Sequence, residues 1–245
     1  PKWDDLPSVA FYMHKGNDGI FGKGDYILFY AQGPIEWQYK GGRWHHVQNP
    51  YSQYGYYFIS DDVGEQRLME VSEPLSEDNT YDVDWYIDYF LHEQDLINLI
   101  DRSGVSGGGR EFYGEQLSSN QKALDVSFAT TNVLTNYSII CYADVAATAQ
   151  TPSIFKVSLA NNHAKTSIAA LPDFHTRAER DSIKLVTKPN TSANQKVRIE
   201  FSNSSEGAIG FLNYIELTVP RALMMEGRSV AINNANSVGR LTNTR

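Results

Sequence analysis

The chain has 245 residues, 21 of them basic and 29 acidic, for a net charge of −8. That balance argues against a nucleic-acid partner, whose phosphates call for clustered Lys and Arg. With 41% apolar and 20% charged residues, the sequence predicts a globular protein of one large or two ordinary domains. The single cysteine excludes an internal disulfide framework. No apolar run is long enough to span a bilayer. The opening Pro1-Lys2-Trp3-Asp4-Asp5 is not a leader, so any signal peptide is expected to be removed or to lie upstream.

In chain order, Ser8 to His14 reads as a first strand, followed by the loop Lys15-Gly16-Asn17-Asp18-Gly19. The run Tyr26 to Ala31 is nearly all apolar, which predicts a strand covered on both faces. Ile35 to Tyr39 and Arg43 to Val47 flank Lys40-Gly41-Gly42, a hairpin signal carried by the glycines. Gly55 to Ser60 and Arg67 to Val71 predict a second hairpin around Asp61-Asp62-Val63-Gly64. Tyr81 to His92 fits a long strand better than a helix, with a helical turn near Leu96 to Ile100. The glycines from Gly104 to Gly109 mark a domain boundary or long loop.

Beyond that point the pattern simplifies. Leu124, Val126 and Phe128 alternate with polar residues, and so do Phe155, Val157 and Leu159. The same holds for Val197, Ile199 and Phe201, and for Ile215, Leu217 and Val219. Period-two alternation predicts strands with one buried face. About eight such strands with Asn, Ser and Gly turns predict an antiparallel β-sandwich of jelly-roll type. The expected organisation is all-β, with two consecutive antiparallel β domains. These are an aromatic-rich domain over 1–108 and a jelly-roll-like sandwich over 109–225. An edge or linker segment over 226–245 is expected to lead towards a downstream domain.

The segments Gly24-Asp25-Tyr26-Ile27-Leu28-Phe29-Tyr30-Ala31-Gln32-Gly33 and Asn49-Pro50-Tyr51-Ser52-Gln53-Tyr54-Gly55-Tyr56-Tyr57-Phe58-Ile59-Ser60 carry a family resemblance. So do Gly109-Arg110-Glu111-Phe112-Tyr113-Gly114-Glu115 and Gly210-Phe211-Leu212-Asn213-Tyr214-Ile215-Glu216-Leu217. Together they resemble the region upstream of the peptidase domain in gingipain-family cysteine peptidases, most closely the surface sortases of the type IX secretion system in Bacteroidetes. The resemblance implies a cell-surface, outer-membrane protein, on its extracellular side. It also implies a caspase-like catalytic domain downstream of this chain, and cargo proteins as further partners. That domain's Cys–His dyad matches nothing here, so no residue of this chain is assigned a catalytic role and the fragment is not expected to be an enzyme.

Cys141 lies in an apolar strand and reads as a small hydrophobe rather than a nucleophile. His45 and His46 are adjacent in a strand and so point to opposite faces, a poor arrangement for shared metal binding. Asn17, Asp18 and Asp25 bracket a glycine-rich loop. They are the weak calcium candidates, with turn chemistry favoured over an ion and no cofactor expected. Glu111 and Glu115 are two carboxylates at no defined separation, which does not support glycoside hydrolysis. The aromatics Trp37, Trp44, Tyr54, Tyr56 and Tyr57 are the candidate ligand or interface residues, since Tyr and Trp join stacking area to a polar handle. Alternation puts Tyr54, Tyr56 and Phe58 on one face and Tyr57 and Ile59 on the other. The alternative to a peptidase-associated module is a carbohydrate-binding or adhesin-like surface module that uses these aromatics.

Overall fold

A computed structural model describes residues 6–49, 52–61, 65–71, 84–99, 112–172, 177–225 and 227. Every regular element among them is a β-strand, and all strand pairings are antiparallel. The chain divides into two compact units, residues 1–80 and 81–245. The expected boundary at Gly104 to Gly109 lies outside the described residues.

The first unit contains two small hairpins. β1 (Phe11–His14) pairs with β2 (Tyr26–Phe29), and β3 (Ile35–Lys40) pairs with β4 (Arg43–Gln48). The expected turn at Gly41-Gly42 is present. Both residues have positive φ, 63° and 80°, which glycine adopts without the Cβ clash that other residues meet. Two expectations for this unit fail. The Tyr26 to Ala31 run is not covered on both faces, because a two-stranded sheet has no second layer. Leu28 and Phe29 are exposed. The second hairpin is also absent among the described residues. Residues 55–60 are irregular, and Leu68 forms only a lone parallel bridge with Phe11.

The second unit is a sandwich built from the period-two segments. Its strands are β5 (Trp85–Glu93), β6 (Gln116–Leu117), β7 (Ala123–Ala129), β8 (Ile139–Thr148) and β9 (Ser153–Leu159). They continue with β10 (Asn162–Ile168), β11 (Glu179–Thr187), β12 (Asn194–Ser202) and β13 (Ile209–Ala222). One sheet runs β10-β9-β12-β7 and the other β11-β8-β13-β5, with β6 also paired to β13. Between them lies one core in which Phe155, Val157, Ile199, Ile215 and Leu217 are fully buried. Each such side chain contributes roughly 1.5–3 kcal/mol through loss of water contact. The expected alternation is therefore what the sheets bury.

The Tyr81 to His92 segment is a strand over its described part, β5, and pairs along its length with β13. No helical turn follows over residues 96–99. Instead Ile97 bridges Tyr113 and exchanges two backbone hydrogen bonds with it, at 2.8 Å each. β13 is long and apolar because it is central, lying between β8 and β5, and almost every residue in it is buried. On the side away from the main core, Phe211, Ala146 and Tyr113 form a small second cluster. A register shift between Leu212 and Tyr214 projects Asn213, whose Nδ2 donates to Asp144 Oδ1 at 3.1 Å. At the far end of β13, Arg221 donates to Asp88 at 2.5 Å and to the Thr131 carbonyl at 2.7 Å, tying β5 to the loop after β7.

Candidate interaction surfaces

The aromatic candidates fall on different elements of the first unit. In the β3–β4 hairpin Trp37 is opposite His46 and Tyr39 is opposite Trp44, so these four side chains share one face. The Tyr39 and Trp44 rings meet edge to face at 5.6 Å, and Trp37 and His46 at 6.0 Å. Both tryptophans are half-buried. His45 is opposite Gln38 in the register, yet its ring lies 5.0 Å from that of His46, so the two imidazoles meet instead of pointing apart as strand alternation predicts.

Tyr57 is used differently. Its ring lies 5.1 Å from Phe29, and its hydroxyl accepts from Gln32 N at 2.5 Å and donates to Gln32 O at 3.3 Å. That side chain staples the irregular 52–61 segment to the residues after β2. Tyr54, Tyr56 and Phe58 stand out at 70%, 74% and 79% exposure. The two-face alternation expected of Tyr54, Tyr56 and Phe58 against Tyr57 and Ile59 has no strand to carry it here, and Ile59 is exposed as well, at 81%.

The calcium candidates are engaged in turn chemistry. Asp25 accepts from Gly16 N at 2.9 Å and from Gly22 N at 2.7 Å, one with each carboxylate oxygen. Asp18 accepts from Ile20 N at 3.1 Å, and Asn17 is exposed on the same loop. Acidic side chains here do the work of closing the β1–β2 connection.

Cys141 is fully buried in β8. Burial, with the Glu216 carboxylate adding to it, pushes its thiol up to about 12. It is held as a neutral thiol in the core and lacks the thiolate a nucleophile needs. His92, an isolated residue in sequence terms, is partnered. Its Nε2 lies 2.7 Å from Glu115 Oε1 in a pocket that leaves about a fifth of each side chain exposed. Burial raises the Glu115 pKa, but the hydrogen bonds from His92 and from its own backbone outweigh it and hold the carboxyl below its usual range. Glu111 lies outside the described residues.

A charged surface that sequence reasoning passed over lies on the outer face of sheet β10-β9-β12-β7. Lys156 Nζ is 2.6 Å from Glu200. Asp125 receives Lys196 Nζ at 2.8 Å and Arg198 Nη1 at 3.1 Å. The Lys196 hydrogen bond, then Arg198, holds the Asp125 carboxyl below its ordinary range despite some desolvation. Glu200 is lowered by Lys156 first and by the charges of Arg198 and Lys165 as well. A depression of about 240 Å³ opens beside Asp125, Ser158, Lys196 and Arg198. The alternation of Lys196, Arg198 and Glu200 is plain in sequence. Their partners on β7 and β9 become neighbours only through the sheet register.

Together these features define an all-β protein: a sandwich with its own core, and a hairpin unit whose aromatics are largely exposed. Among solved structures, the chain is similar to dimeric latent PorU from Porphyromonas gingivalis, with a TM-score of 0.74 and 22% identity. The match covers 95% of this chain but only 21% of that one, so the chain spans about a fifth of the length of that protein and shares its fold over that part. Two carbohydrate-binding modules of the CBM36 type overlay poorly. One, in complex with calcium and xylotriose, has a TM-score of 0.30 at 9% identity, covering 42% of this chain and 77% of that one. The other, from a xylanase of the Trinervitermes trinervoides hindgut metagenome, has 0.32 at 8% identity, covering 58% of this chain and all of that one. Neither a protein-family model nor a curated protein sequence matches the chain.

Proposed function

We propose that this chain is the non-catalytic β region of a PorU-like, gingipain-type surface peptidase, where it supports the catalytic domain or docks cargo. The observation that carries the reading is the fold match to PorU over 95% of the chain, confined to 21% of the larger protein. The residues agree with it. The only cysteine is a buried core thiol. The exposed row Tyr54, Tyr56 and Phe58 is the kind of large apolar surface that a neighbouring domain covers. In this reading the parent is displayed at the bacterial surface, on the extracellular side of the outer membrane. No helix among the described residues is long and apolar enough to cross a membrane.

The test is an affinity titration of the chain against the separately expressed peptidase domain of its parent, with a panel of neutral polysaccharides alongside. Saturable binding to the peptidase domain, weakened by Tyr54→Ala and Tyr56→Ala, supports the assignment. Glycan binding abolished by Trp37→Ala or Trp44→Ala, without any affinity for the peptidase domain, makes the chain a sugar-recognition module instead.

A further inference from the structure

The inward positions of β12 are Gln195, Val197, Ile199 and Phe201, and the first is an amide where the others are core hydrophobes. Gln195 is fully buried, and a buried amide is costly unless both of its ends are paired. Only one end is. Nε2 donates towards three oxygens, Asn190 O at 3.2 Å, Asn190 Oδ1 at 3.0 Å and Ser192 O at 3.1 Å. An amide nitrogen carries two hydrogens, so one oxygen is in excess. Oε1 is buried and has no partner among the described residues.

Thr130 repeats the pattern. It is fully buried, and its backbone N donates to Ala193 O at 2.7 Å, but its hydroxyl has no partner among the described residues. Thr130 stands two residues past Phe128, the register partner of Gln195. The two side chains are thus diagonal neighbours on the inward face of β7 and β12, a spacing that a long side chain bridges.

We propose that these groups form a site for a potassium ion at the point where the Asn190 and Ser192 oxygens converge. Three oxygens around one point concentrate negative partial charge, which a cation offsets better than a neutral amide. The last torsion of a glutamine is a broad, two-fold rotor. Turned over, the Gln195 amide presents Oε1 instead of Nε2 to the ion, and the Thr130 hydroxyl is a further neutral oxygen on the same face.

The donor set selects the class of ion. Magnesium and calcium draw on carboxylates and hold their oxygens at about 2.0–2.1 and 2.3–2.6 Å. No residue of 126–143, 145–172 or 182–199 is Asp or Glu, a span that includes both loops meeting here. Oxygens spread 3.0–3.2 Å from their common centre also close on a large ion with less movement than on a small one. Neutral oxygens of this kind replace the hydration shell of potassium in its selective channels. Lys188, the charged residue of the β11–β12 loop, is engaged with the Asn136 carbonyl at 2.5 Å. Asn190 and Ser192 are exposed, which gives the ion a route from solvent. Bound there, it ties the β11–β12 loop to the ends of β7 and β12. The site is independent of the peptidase-associated reading.

The experiment is thermal melting of the full chain in potassium, sodium and choline chloride at equal ionic strength, with hydrogen-exchange mass spectrometry over residues 188–194. Above its dissociation constant, potassium should raise the melting midpoint in proportion to the logarithm of its concentration. Sodium should raise it less, and choline should not raise it. Potassium alone should slow exchange over 188–194. Thr130→Val, which removes the unpaired hydroxyl, and Gln195→Met, which removes the amide, should each lose most of the gain from potassium. Each variant is compared with itself across the three salts, so a general loss of stability does not mask the result. Equal midpoints in the three salts overturn the proposal, as does a larger gain from sodium. It is overturned equally if the potassium gain is undiminished in either variant, the result expected where a buried water satisfies these groups, or if exchange over 188–194 does not respond.

Discussion

Gly210 shows how little room the core leaves at a single residue. A Cβ built at that position would lie 2.7 Å from the Phe155 ring and 2.7 Å from the Phe201 ring, distances that real Cβ atoms do not show. The two rings pack 5.0 Å apart over β13, and neither can withdraw without opening the centre of the sandwich. Gly210→Ala is therefore expected to cost about 1–3 kcal/mol by overpacking. Gly207, three residues earlier, has nothing within 4 Å of its Cβ position, and Gly207→Ala should be close to neutral. Denaturant midpoints of the two variants, at unchanged slope, make the comparison. Equal midpoints would show that the rings move aside. Asn203 makes the same point for polar groups. Its Nδ2 donates to Thr151 O, Pro152 O and Ser153 Oγ at 2.8–3.1 Å, and its Oδ1 accepts from Ser205 N at 2.7 Å. An Asn-X-Ser motif in the sequence is here a loop tie.

Among elements, His92 on β5 and Glu115, the residue just before β6, link two strands that both pair with β13. Since the Glu115 carboxyl is lowered in the fold, its stabilisation is fully present above its unfolded pKa of about 4.5. It is lost as pH falls through the lower folded value. Glu115→Gln should therefore reduce stability at neutral pH by about 1 kcal/mol and flatten the acid limb of the stability profile below pH 4.5. Thermal melts from neutral to acidic pH would check this, and an unchanged acid limb would remove the pair from the account. Elements of this kind also mark what the sequence could reveal. The sandwich strands were readable because alternation of Phe155, Val157 and Leu159, or Val197, Ile199 and Phe201, responds directly to one buried face. The Tyr26 to Ala31 run misled because apolarity signals a need for cover, which the two-stranded hairpin formed by Tyr26–Phe29 does not supply. The His92–Glu115 pair and the Asp125 cluster join residues 23 and 73 positions apart, and such partners exist only once the register is set.

At the scale of the whole molecule the two units differ in what holds them together. In the second, one continuous core spans both sheets. In the first, His46 is the only buried residue among those described, and most large apolar side chains that are exposed on the molecule belong to this unit. Two-stranded hairpins with so little buried apolar surface are marginal in water. Local opening free energies follow buried contact, so amides of β8, β12 and β13 should exchange with solvent only through global unfolding. Those of β1 to β4 should exchange orders of magnitude faster in the isolated chain. Adding the peptidase domain of the parent should slow the β1 to β4 amides and leave the sandwich amides unchanged, because binding stabilises what it covers. Hydrogen-exchange mass spectrometry, with and without that domain, reads both halves of the expectation. Uniform protection in the isolated chain would mean the hairpin unit needs no partner. Protection gained by the sandwich alone would move the interface off the aromatic surface.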